Sequence, residues 1–207
     1  MSNDIYQHNA DSFFMQYESV TSEQVHAFWL PELDKRTIGT ALDVGAGSGR
    51  DAKFLAAKGW RVIAVEPANS LRELAIKSEH LSDIYKSQTY LPIDWIADTL
   101  PNLSLIKALN LKYDLILLSA VLMHLNQHEQ QQALNNLSYL LNIGGILVMT
   151  LRVGEFSDGR IAYPIEVEKL IAHAEMQHLK LLTKSQLVTD QLGRSNVTWQ
   201  TIVLTKE

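Results

Sequence analysis

Ala41-Leu42-Asp43-Val44-Gly45-Ala46-Gly47-Ser48-Gly49-Arg50-Asp51 runs from a short apolar stretch through three alternating glycines into a helical pattern. A strand that turns so tightly into a helix lets a ligand approach without Cβ atoms in the way, and its turn amides are expected to be free. Downstream, Ala52, Leu55 and Ala56 recur at helical spacing, and Gly59 stands where a left-handed residue ends a helix. Residues 61–66, Arg-Val-Ile-Ala-Val-Glu, are β-branched and almost continuously apolar, the pattern of a strand buried on both faces of a parallel sheet.

The same alternation continues. A third strand is expected over 93–97, stopped by Asp98-Thr99-Leu100-Pro101, then a helix over 103–109 and a fourth strand over 113–119. Asn126 with Glu129 three residues on makes a capping box for a helix whose apolar face includes Ala133, Leu134 and Leu137. Gly144-Gly145 leads into a fifth strand over 146–151, and Pro164 is expected to start another helix. Residues 179–188 and 197–205, separated by Gly193-Arg194-Ser195-Asn196, read as an antiparallel hairpin. The fold class is therefore α/β, a doubly wound, mostly parallel sheet closed by a C-terminal hairpin. Residues 1–38 read as two short amphipathic helices, with Thr21 or Ser22 as an N-cap, forming a helical cap that serves as a lid or as a cover for one side of the sheet. Residues 39–207 form the main domain.

Composition removes several functions. A formal net charge of -5 argues against duplex DNA, whose binding needs clustered Lys and Arg. The chain has no cysteine, which excludes disulfides, thiolate metal sites and cysteine nucleophiles. No run reaches the roughly 18 apolar residues of a membrane span, and the polar start is unlike a signal peptide, so a cytoplasmic protein is expected.

Ligands of doubly wound sheets lie outside the carboxyl ends of the strands, just after the first strand. Glu66 ends the second strand, where a carboxylate can accept from both hydroxyls of a ribose. A dinucleotide fingerprint spaces its glycines G-x-G-x-x-G; here Arg50 stands where the last glycine belongs, so nicotinamide cofactors fit worse. With these residues in view, the chain resembles the class I S-adenosylmethionine-dependent methyltransferases. The resemblance rests on the 42–49 glycine motif, Glu66-Pro67, Asp98 after the third strand, the 113–119 strand and Gly144-Gly145. It implies a Rossmann-like methyltransferase fold of seven strands with the last one antiparallel. It further implies that Gly45, Ala46 and Gly47 pass beneath the amino acid part of S-adenosylmethionine, that Glu66 holds the ribose, that Pro67 and Asp98 meet the adenine with Thr99 beside them, and that Ser119 and Ala120 lie near the sulfur.

Other positions are read from their chemistry. Arg50 reads either as a solvated residue of the helix's first turn or, being a cation of the wrong sign for a helix start, as one partnered by an acid or a substrate group, and it is also a candidate cofactor contact. Tyr17 is a candidate to close the cofactor pocket, and an equally ordinary core aromatic. His124 is a candidate general base or a plain loop residue, and Arg152 a candidate contact for an anionic acceptor or a salt-bridge partner. His124 and His128 stand four apart, but no third ligand accompanies them and no metal is expected. The leading reading is an enzyme transferring methyl from S-adenosylmethionine, with S-adenosylhomocysteine as product, to O, N or S of a small molecule. The alternatives are a silent cofactor-binding or scaffold protein, and a methyltransferase acting on protein or RNA.

Overall fold

The computed structural model describes residues 2–85 and 92–207. Four short helices come first: α1 (Ser2–His8), α2 (Ala10–Glu18), α3 (Ser22–His26) and α4 (Leu30–Leu33). β1 (Thr40–Val44), α5 (Arg50–Ala57), β2 (Arg61–Val65), α6 (Asn69–Tyr85), β3 (Asp94–Ile96), α7 (Ser104–Ala108) and β4 (Tyr113–Ser119) follow. After a single 3-10 turn, Leu122–His124, come α8 (Gln127–Leu140), β5 (Leu141–Val153), α9 (Val167–Met176), β6 (Leu179–Lys184), β7 (Val188–Thr189) and β8 (Thr198–Lys206).

Local signals account for most boundaries. α5 ends in a Schellman motif: Gly59 at φ +91° donates to the Ala56 carbonyl at 2.9 Å, and Trp60 donates to Leu55 at 3.1 Å. α8 starts in the expected capping box, with Glu129 N donating to Asn126 Oδ1 at 3.0 Å and Asn126 N to Glu129 Oε2 at 2.8 Å. Thr21 and Gln24 form a second such box at α3.

Among the described residues, eight strands form one sheet in the order β3-β2-β1-β4-β5-β8-β6, with β7 beside β8. β3, β2, β1, β4 and β5 pair in parallel, and β8 runs antiparallel to both β5 and β6. The expected seven strands are thus joined by the two-residue β7. Apolar layers bury both faces of the sheet. Leu42, Ile63, Ile116 and Leu147 face α8 and α9, while Ala41, Val62, Leu115 and Val148 face α5 and Trp29. Strand order reverses between β1 and β4, and the main cavity opens outside the carboxyl ends of the strands there.

Three boundaries differ from expectation. The N-terminal segment holds four helices rather than two, because Asn9 breaks the first pattern (φ -118°, ψ 29°) and Pro31 opens a single extra turn. β5 begins five residues early, and a register shift opposite Tyr113 and Leu115 carries it through Gly144-Gly145. α9 starts at Val167 rather than Pro164, whose carbonyl accepts from Gln130 Nε2 at 3.2 Å.

Candidate active site

A cavity of about 510 Å³ lies at the switch point, within the range of small-molecule sites. Gly45, Ala46, Gly47, Arg50, Glu66, Pro67, Asp98, Thr99, Ser119, Ala120, His124, Arg152 and Tyr17 all line it. The structure therefore brings every residue singled out in the sequence to one chamber.

The glycine turn forms the floor. Gly45, Gly47 and Gly49 have φ of +74°, +58° and +76°, conformations that L side chains rarely adopt. A Cβ on Gly45 would stand 2.5 Å from Val121 Cγ2, and one on Gly47 would stand 3.1 Å from the Tyr17 ring. The expected free amides are not found: Gly45 N and Ala46 N both donate to the Val65 carbonyl, at 2.8 and 2.9 Å, because the loop folds back over the end of β2. Gly47 N donates to Glu66 Oε2 at 2.9 Å. What the turn offers a ligand is therefore closeness of approach rather than unpaired donors.

Glu66 is 6% exposed, and its other oxygen accepts from Ala68 N at 2.8 Å. Burial raises its pKa, and the Ala68 and Gly47 amides and Arg72 partly offset that. A carboxylate has about four lone-pair sites, so two remain for hydroxyl donors. Asp98 is more heavily engaged: Oδ1 accepts from Thr99 N, and Oδ2 from Leu105 N and Ile106 N at the start of α7. At the mouth of β4, Ala120 adopts φ 60°, and its amide donates to the Thr150 carbonyl and hydroxyl oxygens. A non-glycine residue in that conformation stores strain of the kind found at functional sites.

Arg50 finds its partners within the chain. Nε and Nη2 each donate to Asp51 at 2.8 Å, and Nη1 to the Tyr17 carbonyl at 3.2 Å. Asp51 also accepts from Ser22 Oγ at 2.7 Å and lies 3.0 Å from His26 Nε2. Burial acts to raise the Asp51 pKa, but His26 and Arg50 hold it well below the usual carboxylate range. Burial and the Asp51 charge push neighbouring Asp43 well above that range. This network pins α3 to the start of α5.

The far end of the chamber is aromatic and cationic, and much of it had no local sequence signal. Tyr6 OH accepts from Arg160 Nη1 at 2.6 Å and lies 2.9 Å from His124 Nε2. The hydroxyl thus bridges the Arg160 guanidinium and the His124 imidazole. The His124 ring stacks on Phe156 at 5.3 Å and 9°. Burial, then Arg160 and Arg152, lower its pKa to about 4. Tyr6, Phe156, Arg160, Arg194, Asp190 and Trp199 line the chamber too, and sequence reasoning had not picked them as site residues. Among the described residues no cluster of three His, Asp or Glu has metal-binding geometry.

A doubly wound sheet with a glycine turn, a strand-end carboxylate and a chamber between them defines a nucleoside-binding α/β class. Within it, a family model described as "Methyltransferase domain" matches residues 42–147, and the chain belongs to that family. It is 29% identical over 143 residues to an uncharacterized methyltransferase of Alkaliphilus oremlandii, which covers 69% of this chain and 59% of that protein. The chain thus spans about three fifths of that curated relative's length. Its fold is similar to an S-adenosylmethionine-dependent methyltransferase of Clostridium acetobutylicum (TM-score 0.71, 12% identity, covering 98% of this chain and 99% of that one). It is also similar to a magnesium protoporphyrin IX methyltransferase of Synechocystis solved with S-adenosylhomocysteine (TM-score 0.71, 14% identity, 100% of each chain).

Proposed function

We propose that the chain is an S-adenosylmethionine-dependent methyltransferase that acts at O, N or S of a small molecule and leaves S-adenosylhomocysteine. The observation that carries this reading is the buried Glu66 carboxylate, held by Gly47 N and Ala68 N with acceptor capacity left over, beside a turn in which a Cβ on Gly45 would stand 2.5 Å from Val121. When bound, S-adenosylmethionine supplies an electrophilic methyl group: the acceptor's lone pair bonds to carbon as the carbon–sulfur pair passes to sulfur.

In this reading Gly45, Ala46 and Gly47 give the amino acid part a flat floor, and Glu66 accepts from both ribose hydroxyls. Pro67 lies against the adenine with Thr99 at its edge, and Asp98 accepts from the adenine amino group while holding the start of α7. Ser119 and the strained Ala120 border the sulfur, and Tyr17 covers Gly47. Arg50 acts through Tyr17, whose carbonyl it holds. Residues 1–38 form the cap. The chain's task is then alignment and exclusion of water. His124 is poorly suited as general base, with the Tyr6 hydroxyl 2.9 Å from its Nε2 and its pKa lowered to about 4. We therefore assign it to the chamber wall, with an acceptor whose nucleophilic lone pair is already free.

Titration calorimetry with S-adenosylmethionine, S-adenosylhomocysteine and NAD tests the reading. The first two are expected to bind and NAD to be silent. Glu66→Ala, which removes two hydrogen bonds to a charged acceptor, is expected to weaken the product form by about 100-fold. Silence of both methyl-cofactor forms, or unchanged affinity in the variant, sinks it.

A further inference from the structure

The charges at the β5 end of the chamber do not cancel. Three arginines line it, and two are matched: Arg160 grips Asp158 through Nε and Nη2, and Arg194 grips Asp190 through the same pair of nitrogens. Arg152 has no carboxylate within ion-pair distance among the described residues. It donates Nη1 to the Gly154 carbonyl and Nη2 to the Glu155 carbonyl, the latter at 2.8 Å. Its side chain is nearly enclosed, the residue being 7% exposed, and its buried Nε–H has no partner. Glu129, which also lines the cavity, is turned to its own helix start, where it accepts from Asn126 N.

Burying an unneutralised guanidinium is costly, and an unpaired buried donor adds to that cost, so this arrangement is explained by a charge that arrives from outside. The neighbourhood carries the mark of the surplus. Beyond burial, His124 is held neutral by Arg160 and Arg152, and burial followed by Arg194 and Arg160 lowers the Arg152 pKa itself. We propose that the methyl acceptor is a small organic carboxylate that docks on Arg152, an assignment that rests on the methyltransferase reading above.

Stoichiometry and donor geometry select that chemistry. Arg160 and Arg194 each hold a carboxylate and Arg152 holds none, so a monoanion suffices to pair it and a phosphate dianion carries one charge more than that pairing needs. A guanidinium has five N–H donors; Nη1 and Nη2 each give one to a carbonyl, Nε is buried and Phe156 stacks 4.2 Å from the guanidinium carbon, so the second N–H of each terminal nitrogen is left for a carboxylate oxygen. Position agrees as well. Thr150 pairs with Ser119 across β4 and β5, and Arg152 is two residues further along the same strand on the same face, roughly 7 Å away. An acceptor anchored there reaches back toward Ser119 and Ala120 over the length of one small ring. Trp199 stands opposite Arg152 in the β5–β8 register and lines the chamber, so its fluorescence reports on occupancy.

The test uses the full chain saturated with S-adenosylhomocysteine and follows tryptophan fluorescence during titration with benzoate, benzamide and inorganic phosphate. Benzoate is expected to bind at least tenfold more tightly than benzamide, and more tightly than phosphate. Arg152→Gln is expected to abolish the preference for benzoate while leaving S-adenosylhomocysteine affinity within twofold, and Arg152→Lys to retain part of it. Equal binding of benzoate and benzamide to the wild-type protein overturns the proposal without any variant having to fold. Phosphate binding in preference to benzoate overturns it in favour of an inorganic oxyanion. A tenfold loss of S-adenosylhomocysteine affinity in both Arg152 variants overturns it too, by giving Arg152 to the cofactor's own carboxylate. Failure of the wild-type protein to bind S-adenosylhomocysteine at all is a different result and strikes the methyltransferase reading instead.

Discussion

Between Val44 and Ala68 the chamber wall comes from one continuous piece of chain, whereas the wall around Arg152 is gathered from α1, the turn after β4, the loop after β5 and the β7–β8 connection. The first wall works mainly through backbone. Glycines at positive φ allow close approach, the Val65 carbonyl fixes the turn, and the Glu66 side chain ties the turn to the end of β2. The second wall works through side chains brought from afar, as in the Tyr6–Arg160 contact across 154 positions. A backbone site is written in a short spacing of glycines, while a side-chain site exists only after the sheet has assembled. In the reading proposed here this separates the donor site from the acceptor site.

The sharpest way to break the comparison is to make the same small change in both walls. Gly45 and Gly193 have nearly the same φ, +74° and +75°, but a Cβ on Gly45 meets Val121 at 2.5 Å, whereas no described atom lies within 4 Å of one on Gly193. Gly45→Ala combines left-handed strain with overpacking and is expected to cost about 4 kcal/mol of stability and to abolish cofactor binding. Gly193→Ala is expected to cost about 1 kcal/mol. Urea denaturation of both variants measures the gap; equal losses would mean that the close approach at Gly45 is not built into the fold.

The same contrast explains what was legible in the sequence. Gly59 and Asn126 with Glu129 act through neighbours within a few positions, and each stands where its pattern placed it. The start of α9 was not legible, because Gln130 captures the Pro164 carbonyl from 34 positions away. Nor was the engagement of the turn amides, which depends on how the loop crosses the end of β2. Arg50 carried two readings, solvated or partnered, and Asp51 beside it is the partner, but His26 and Ser22 complete the network from an element the pattern did not resolve. Tyr6 and Arg160 carried no mark at all, since an aromatic in a terminal helix and an arginine in a loop are ordinary until they meet.

A second comparison uses pH. His124 is held neutral by burial and two arginines, with its pKa lowered to about 4 from an ordinary value near 6.5. The unfolded chain takes up a proton at this position as pH falls through about 6.5 while the folded chain does not, so stability is present above that pH and is lost on the way down to about 4. The full loss for this group is at most about 3 kcal/mol. Denaturation of wild type and His124→Gln from pH 8 to pH 4 is expected to show a stability difference that shrinks with acidification by up to that amount. A constant difference would mean that the cationic wall does not act on this imidazole.

The smallest expected effect isolates one hydrogen bond of the assembled wall. Tyr6→Phe keeps the ring against Phe13, 4.7 Å between centroids, and removes only the hydroxyl that lies between Arg160 and His124. Loss of that group is expected to cost about 1 kcal/mol. S-adenosylhomocysteine affinity should stay within twofold, because Tyr6 touches none of Gly45, Gly47 or Glu66 through a hydrogen bond among the described residues. If the affinity falls tenfold instead, the two walls are coupled through α1, and the division between a backbone-built site and a side-chain-built one fails at the cap they share.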